Sequence, residues 1–581
     1  MEELINNPII ASLPKHLKGF IIDQNYSRYT AQDHAVWRYV MRQNVHFLAQ
    51  VAHKSYIDGL KKTGISIDKI PSLEEMNEIL ARIGWAAVTV DGFIPPAAFM
   101  EFQKYNVLVI AADIRPYDQI EYTPAPDIIH EAAGHAPIIA DEEYAHYLKY
   151  FGEVGCKAFS SKKDYEIYEA IRHLSILKAD PYTPIDAIEK AEQKLDKISA
   201  DSGMPSEMSL IRNLHWWTVE YGLIGDVKNP KIYGAGLLSS IGESKGALSD
   251  KVRKLPYTLE AMDYNFDITK PQPQLFVTPD FENLTAVLDE FANQMGLRTG
   301  GMEGILKAIG SGNTATLEYS SGLQVSGTFT EIVSHQGMPF YIRSEGPTIL
   351  SFENKMLEGH SKTHHKDGFG SPIGRIRGCL KPMRAMNRND LKKIGIEEGK
   401  RTSFQFESGV KVEGVVKHIK YMKDSLILMT FHDCTVRYKD RLLFEPSWGV
   451  YDMAVGEKIT SAFNGPADAE GFGLHYDVPD EKTHHIEFDE NARELHKLYE
   501  SVRKLRNKKP QSSELKDIWQ ELLRKYDDDW LLPVEIYEIA AKNKINSGFP
   551  EEVIDHLEKV KEEHPALKKL IENGLSLAKS Y

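Results

Sequence analysis

The sequence predicts a multidomain chain. A mixed, mainly helical region covers residues 1–305, a β-rich region with an internal duplication covers 306–480, and a helical region covers 481–581. Three observations predict this. At 581 residues the chain exceeds what one hydrophobic core fills. Near residue 312 the apolar pattern changes from helical spacing to alternation, and it turns helical again over the last hundred residues. The stretch Ser321-Gly322-Leu323-Gln324-Val325-Ser326-Gly327 returns 87 residues later as Ser408-Gly409-Val410-Lys411-Val412-Glu413-Gly414.

In chain order, the apolar run Val107-Leu108-Val109-Ile110 is a buried strand or a buried helical turn, which periodicity cannot separate. The charged stretch 161–210 carries Ile185, Ile188, Leu195 and Ile198 at helical spacing, so it reads as a helical insertion packed on one face. TATLEYSSGLQVSGTF alternates around Ser-Gly, as does TSFQFESGVKVEGVV, and each predicts a β-hairpin. Two copies are too few for a solenoid, leaving paired barrels or one fused sheet. In the last region Leu495, Leu498, Tyr499, Val502 and Leu505 keep helical spacing, as do Val553, Ile554, Leu557 and Val560, with a break over residues 508–513. These could form helix pairs of tetratricopeptide type or a contact between copies of the chain. The tetrapeptide KTHH occurs at Lys362–His365 and Lys482–His485 and reads as solvated loops in preference to a second metal site. The first 305 residues are expected to fold as a unit.

Composition excludes several classes. The chain is 42% hydrophobic and 27% charged with a net charge of −14, and it has no dense basic stretch, which argues against nucleic acid and anionic membrane as partners. No apolar run is long enough to span a bilayer, and no secretory leader is read at the N-terminus. The three cysteines, Cys156, Cys379 and Cys434, are far apart and form no CxxC, so neither disulfides nor a cysteine zinc site is expected. The reading is a protein of the reducing cytoplasm.

Chemistry concentrates at PDIIHEAAGH, residues 126–135. His130-Glu131 opens like the zinc-protease pattern H-E-x-x-H, but the second histidine comes one residue late, at His135. On an α-helix residues five apart point about 140° from each other, against about 40° for four. His130 and His135 therefore cannot share one face of a regular helix. Gly134 permits a distortion and Pro137 favours a helix end, which places His135 at a helix terminus or turn. Alone, the pair could equally be two unrelated histidines. Two histidines and one carboxylate on one face suit non-haem Fe(II), with positions left open for oxygen and substrate. Glu220, in the apolar LHWWTVEYG, is the candidate carboxylate, because an unpaired charge there is costly.

Four segments resemble the pterin-dependent aromatic amino acid hydroxylases: YTPAPDIIHEAAGHAP at 122–137, HWWTVEYGL at 215–223, YGAGLLSSIGE at 233–243 and VDGFIPPAAF at 90–99. The resemblance covers roughly residues 25–296. It implies that family's mainly helical catalytic fold, with His130, His135 and Glu220 as iron ligands. Arg115 would bind the amino acid carboxylate, as a guanidinium fork can. Thr123, Gly236, Ser239 and Glu243 would order the head-group pocket, and Trp216 and Pro126 would flank the ring. Gly92, Phe93, Ile94 and Phe99 would form the pterin site, with Glu131 facing the cofactor to position it or handle a proton. Two departures stand out: His135 and Glu220 are much further apart than in the family, and His215 stands where tyrosine is common.

The resemblance implies an oxidoreductase, a monooxygenase using O2, Fe(II) and a tetrahydropterin (tetrahydrobiopterin or similar). Trp216 matches phenylalanine and tyrosine enzymes. The aliphatic Ile268, just before Gln272-Pro273, offers a phenolic hydroxyl no partner and so favours L-phenylalanine, the first step of its catabolism. Tryptophan or tyrosine hydroxylation, a metallohydrolase, and a regulatory protein with a decayed hydroxylase domain are the alternatives.

Overall fold

The computed structural model describes residues 7–120, 127–179, 183–200, 203–267, 271–476, 488–508, 510–545 and 548–579. The N-terminal region is built around the long helix Ala31–Val51. Its start is fixed by a reciprocal cap: Thr30 Oγ1 accepts from Asp33 N–H at 3.1 Å, and the Asp33 carboxylate accepts from Thr30 N–H at 2.7 Å. The run containing Val107–Ile110 resolves as a strand. Val107–Ala111 pairs in parallel with Ala86–Val90, crossing over through the helix Pro96–Lys104, and both strands are buried throughout. A second sheet orders Asn229–Ile232, Leu223–Asp226, Gln274–Thr278 and Arg253–Pro256.

The charged stretch folds into two helices, Lys162–Ala179 and Ile185–Ala200. The expected apolar stripe is only partly covered: Ala191 is buried, Ile188, Leu195 and Ile198 are half-buried, and Ile185 is 75% exposed. Of the stripe, Leu195 lines a cavity of about 670 Å³ between these helices and the segments around Arg212 and Phe266.

Both predicted hairpins form. Gly322 N–H and Gly409 N–H close their turns on Tyr319 O and Phe406 O at 2.8 and 2.9 Å, with φ of +90° and +97°, where glycine is favoured. The strands Thr314–Tyr319, Leu323–His335 and Met338–Phe352 begin 87 residues before Arg401–Gln405, Val410–Met422 and Ser425–Tyr438. The two sets lie in separate sheets whose cores interlock: Phe340 and Tyr341 of the first set pack with the second, and Ile427 and Leu428 of the second pack with the first. The strand Ile459–Asn464 then returns to pair with Thr314–Tyr319, locking the second unit to the first. The boundary expected at 305/306 falls inside the helix Gly301–Ser311, whose Ile305 and Ala308 belong to the core of the first sheet. The boundary at 480/481 and the second KTHH lie outside the described residues.

Among the described residues five C-terminal α-helices follow: Glu490–Arg506, Ser512–Lys525, Leu531–Lys542, Phe549–Glu563 and Lys568–Ala578. Leu498, Tyr499, Val502, Trp519 and Trp530 share one core with Val36, Val40 and Tyr39 of the long N-terminal helix. Between them lies a buried ion cluster. Arg38 pairs with Glu535 at 3.1 Å and with Glu538, Arg42 reaches Glu538 at 2.6 Å, and Arg506 reaches Glu535 at 2.8 Å. Residues of the first 305 thus share their core with the C-terminal helices.

Candidate active site

His130 and His135 lie on Ile129–His135, which is a π-helix. Its hydrogen bonds run from i to i+5, so residues five apart stack on one face. This corrects the expected helix end at His135: the chain widens for one turn and continues into Ala136–Ile139. The part played by Gly134 also differs. Its φ is not positive, and what it supplies is room, since an added Cβ would lie 2.7 Å from Ala235 O. Glu220 ends a second π-helical turn, Trp216–Glu220, which follows the helix Glu207–His215.

The two turns bring three donor atoms together. His130 Nε2 and His135 Nε2 are 3.2 Å apart, His130 Nε2 is 3.1 Å from Glu220 Oε2, and His135 Nε2 is 3.4 Å from Glu220 Oε1. Ligands about 2.1 Å from a metal, at right angles, stand about 3 Å apart, so this triangle could hold one face of an octahedral ion. Burial alone would raise the Glu220 carboxyl, but the His135 and His130 imidazoles hold it well below the usual carboxylate range. Ser239 Oγ donates to Gly236 O at 3.2 Å and accepts from His130 Nδ1–H at 3.1 Å, which turns Nε2 toward His135 and Glu220.

Arg115 is buried and pairs bidentately with Asp127: Nε to Oδ2 at 2.7 Å and Nη2 to Oδ1 at 2.9 Å. Its Nη1 donates to Ile120 O at 3.3 Å. Among the described contacts this leaves one N–H on each terminal nitrogen. Asp127 Oδ1 also accepts from His130 N–H at 3.0 Å, so one carboxylate fixes the guanidinium relative to the histidine turn. Sequence reasoning missed Asp127. The available signal was an aspartate three residues before His130, the spacing of a helix cap.

A cavity of about 310 Å³ opens over the triangle. Trp216 forms one wall, stacked between Phe266 at 4.2 Å and Tyr221 at 4.7 Å. Tyr221 Oη donates to Glu243 Oε1 at 2.7 Å, and burial raises the Glu243 carboxyl. Gly92, Phe93, Ile94 and Phe99 line the other side, with Phe99 edge-on to His215 at 5.7 Å. Burial lowers the His215 imidazole to about 4, so it is neutral. Glu131 faces the cavity with its carboxyl raised by burial and Oε2 without a hydrogen-bond partner. Gly236 also lines it, and an added Cβ would press to 3.1 Å from Glu220 O. Thr123, Pro126 and Ile268 lie outside the described residues. Arg212 and Ile171, unanticipated from sequence, join this cavity to the one under the hairpin, and Tyr168 Oη donates to Phe93 O at 3.0 Å.

Residues 19–171 and 191–299 match the biopterin-dependent aromatic amino acid hydroxylase family. The chain is similar to the phenylalanine-4-hydroxylase of Pseudomonas aeruginosa, at 27% identity over 46% of this chain and 86% of that protein. It is similar to that of Chromobacterium violaceum, at 27% over 47% and 78%. It also resembles a crystal structure of the C. violaceum enzyme with bound iron(III) and oxidized 7,8-dihydrobiopterin, at 25% identity over 48% of this chain and 87% of that chain, with a TM-score of 0.38. The family match ends at residue 299.

Proposed function

We propose that the chain is a pterin-dependent aromatic amino acid hydroxylase, as the family match over residues 19–171 and 191–299 supports, and specifically a phenylalanine 4-monooxygenase, converting L-phenylalanine to L-tyrosine with O2, Fe(II) and a tetrahydropterin. The observation that carries the proposal is the triangle of His130, His135 and Glu220 donors beneath a cavity with Arg115 on one side and Phe99 on another. The three donors would hold the iron. Bound together, iron and the reduced pterin supply the electrons and the open coordination that O2 activation requires.

The remaining work falls to side chains. Arg115, held by Asp127, presents to the substrate carboxylate the N–H groups that have no partner among the described residues. Glu243, braced by Tyr221, and Ser239 order the head-group end, with Gly236 giving the backbone clearance. Trp216 and Pro126 flank the ring, and holding it in place converts binding energy into orientation. Gly92, Phe93, Ile94 and Phe99 take the pterin, and Glu131, with a carboxyl raised by burial, holds or passes a proton beside it. The helix Lys162–Ala179 borders the pterin side through Tyr168, which donates to Phe93 O.

Phenylalanine is favoured over tyrosine because Ile268 is aliphatic and the stacked Trp216–Phe266 wall is aromatic, so a phenol's hydroxyl loses its hydrogen bonds. That penalty is roughly 1–3 kcal/mol, about five- to two-hundred-fold in kcat/KM. The test is competition between phenylalanine, tyrosine and tryptophan for the purified, iron-loaded chain. Phenylalanine should be consumed first, and faster hydroxylation of tyrosine or tryptophan would overturn the substrate assignment while leaving the family intact. The common 87-residue offset of the three strands in each sheet supports a duplicated β module.

A further inference from the structure

The first KTHH stretch is not a solvated loop. It lies between the strands Lys355–Met356 and Gly368–Pro372, and it carries His364 and His365, with His360 just before. Thr348 N–H donates to His365 O at 3.0 Å and Leu350 N–H to His360 O at 3.2 Å, which pins the loop to the first sheet. Facing it is Asp452, on the strand Tyr451–Ala454 of the second sheet.

Asp452 Oδ2 is 2.8 Å from His364 Nε2, 3.8 Å from His360 Nδ1 and 3.9 Å from His365 Nε2. His360 Nδ1 and His365 Nε2 are 3.3 Å apart, and the four donor atoms all lie within 4.8 Å of one another. The Asp452 side chain is 2% exposed, His365 8%, His360 12% and His364 40%. Among the described residues no lysine or arginine pairs with Asp452. A buried carboxylate without a cation is costly. A proton can join these groups only in pairs, whereas one ion satisfies all four.

We propose that His360, His364, His365 and Asp452 bind a divalent transition-metal ion of zinc type, distinct from the iron of the hydroxylase site. A four-coordinate ion with bonds of about 2.1 Å separates its ligands by about 3.4 Å, and the contacts here bracket that value. Three imidazoles and one carboxylate are ligands zinc accepts. Thr430 Oγ1 donates to Asp452 Oδ1 at 2.6 Å and aims the other oxygen at the imidazoles, a supporting contact of the kind that surrounds metal sites. Four protein ligands close the coordination sphere, so the role is structural. The ion joins a loop fixed on the first sheet to a strand of the second, and the half-exposed His364 is its way in.

The test uses the full-length, metal-stripped chain carrying His135→Ala and Glu220→Ala to silence the hydroxylase site, titrated with Co(II) alone. We expect one equivalent of Co(II) to bind with the intense visible absorption of four-coordinate cobalt, displaceable by Zn(II). Thr430→Val should weaken binding roughly 10- to 100-fold, and His364→Ala, whose exposed position spares the fold, by more. Failure to bind an equivalent, or an equivalent unchanged in the His364→Ala chain, overturns the proposal. Neither result bears on phenylalanine hydroxylation.

Discussion

Gly134 packs against Ala235 so closely that a methyl group on Gly134 would lie 2.7 Å from the Ala235 carbonyl oxygen and 3.0 Å from its Cβ. The π turn that aligns His130 with His135 therefore depends on an absent side chain. Gly134→Ala should push this turn off the helix Ala235–Leu238, costing roughly 1–3 kcal/mol as overpacking does. It should lose iron well before it unfolds. Iron content beside a urea melt checks this, and full iron occupancy in the variant would mean that the contact does not set the ligand geometry.

Ser239→Ala removes the acceptor for His130 Nδ1–H without touching a ligand. Fe(II) affinity should fall about 10- to 100-fold with stability nearly unchanged. Equilibrium dialysis against Fe(II) measures the effect, and unaltered affinity would rule out Ser239 as the group that fixes the tautomer.

Glu538 is 1% exposed and faces Arg38, Arg42 and Arg506. Glu538→Ala leaves buried arginines short of a partner, and stability should fall by roughly 3–5 kcal/mol. Chemical denaturation gives the value. A loss under about 1 kcal/mol, the scale of an exposed pair, would contradict docking of the tail on the long helix.

Asp529 supplies a pH signature for that docking. Burial raises its carboxyl from 3.8 to about 6, although it accepts from Tyr499 Oη at 2.9 Å and Leu532 N–H at 2.9 Å. Between those two values the folded chain holds a proton that the unfolded chain has released, so this group's contribution falls as pH rises from about 4 to about 6. Asp529→Asn carries no such proton. Its stability relative to the parent should climb across that window, by up to about 3 kcal/mol. Denaturation midpoints at several pH values decide it, and a difference that stays flat would place Asp529 in solvent.

The parts of this molecule legible in the sequence are those written locally. The Ser-Gly turns, the alternation beside them and the late second histidine each sit within one short window. What was illegible depends on partners far along the chain. Nothing beside His364 points to Asp452, 88 residues on, and nothing in the stripe Leu498, Tyr499, Val502 names the helix that covers it. A periodic apolar face states that a helix is packed, not against what. Gly134 was noticed for its backbone freedom, but its contribution is space, which appears only once the helix containing Ala235 is in place. Likewise the alternating strands gave two hairpins but not the return of Ile459–Asn464 to the first sheet.

The most direct test of the central claim is to count products. The full-length chain, loaded with Fe(II) and supplied with O2, tetrahydrobiopterin and L-phenylalanine, should form one L-tyrosine for each pterin oxidised. His135→Ala should abolish tyrosine formation while the protein remains folded. Tyrosine formed without pterin, or none formed by a fully iron-loaded chain, would contradict the account.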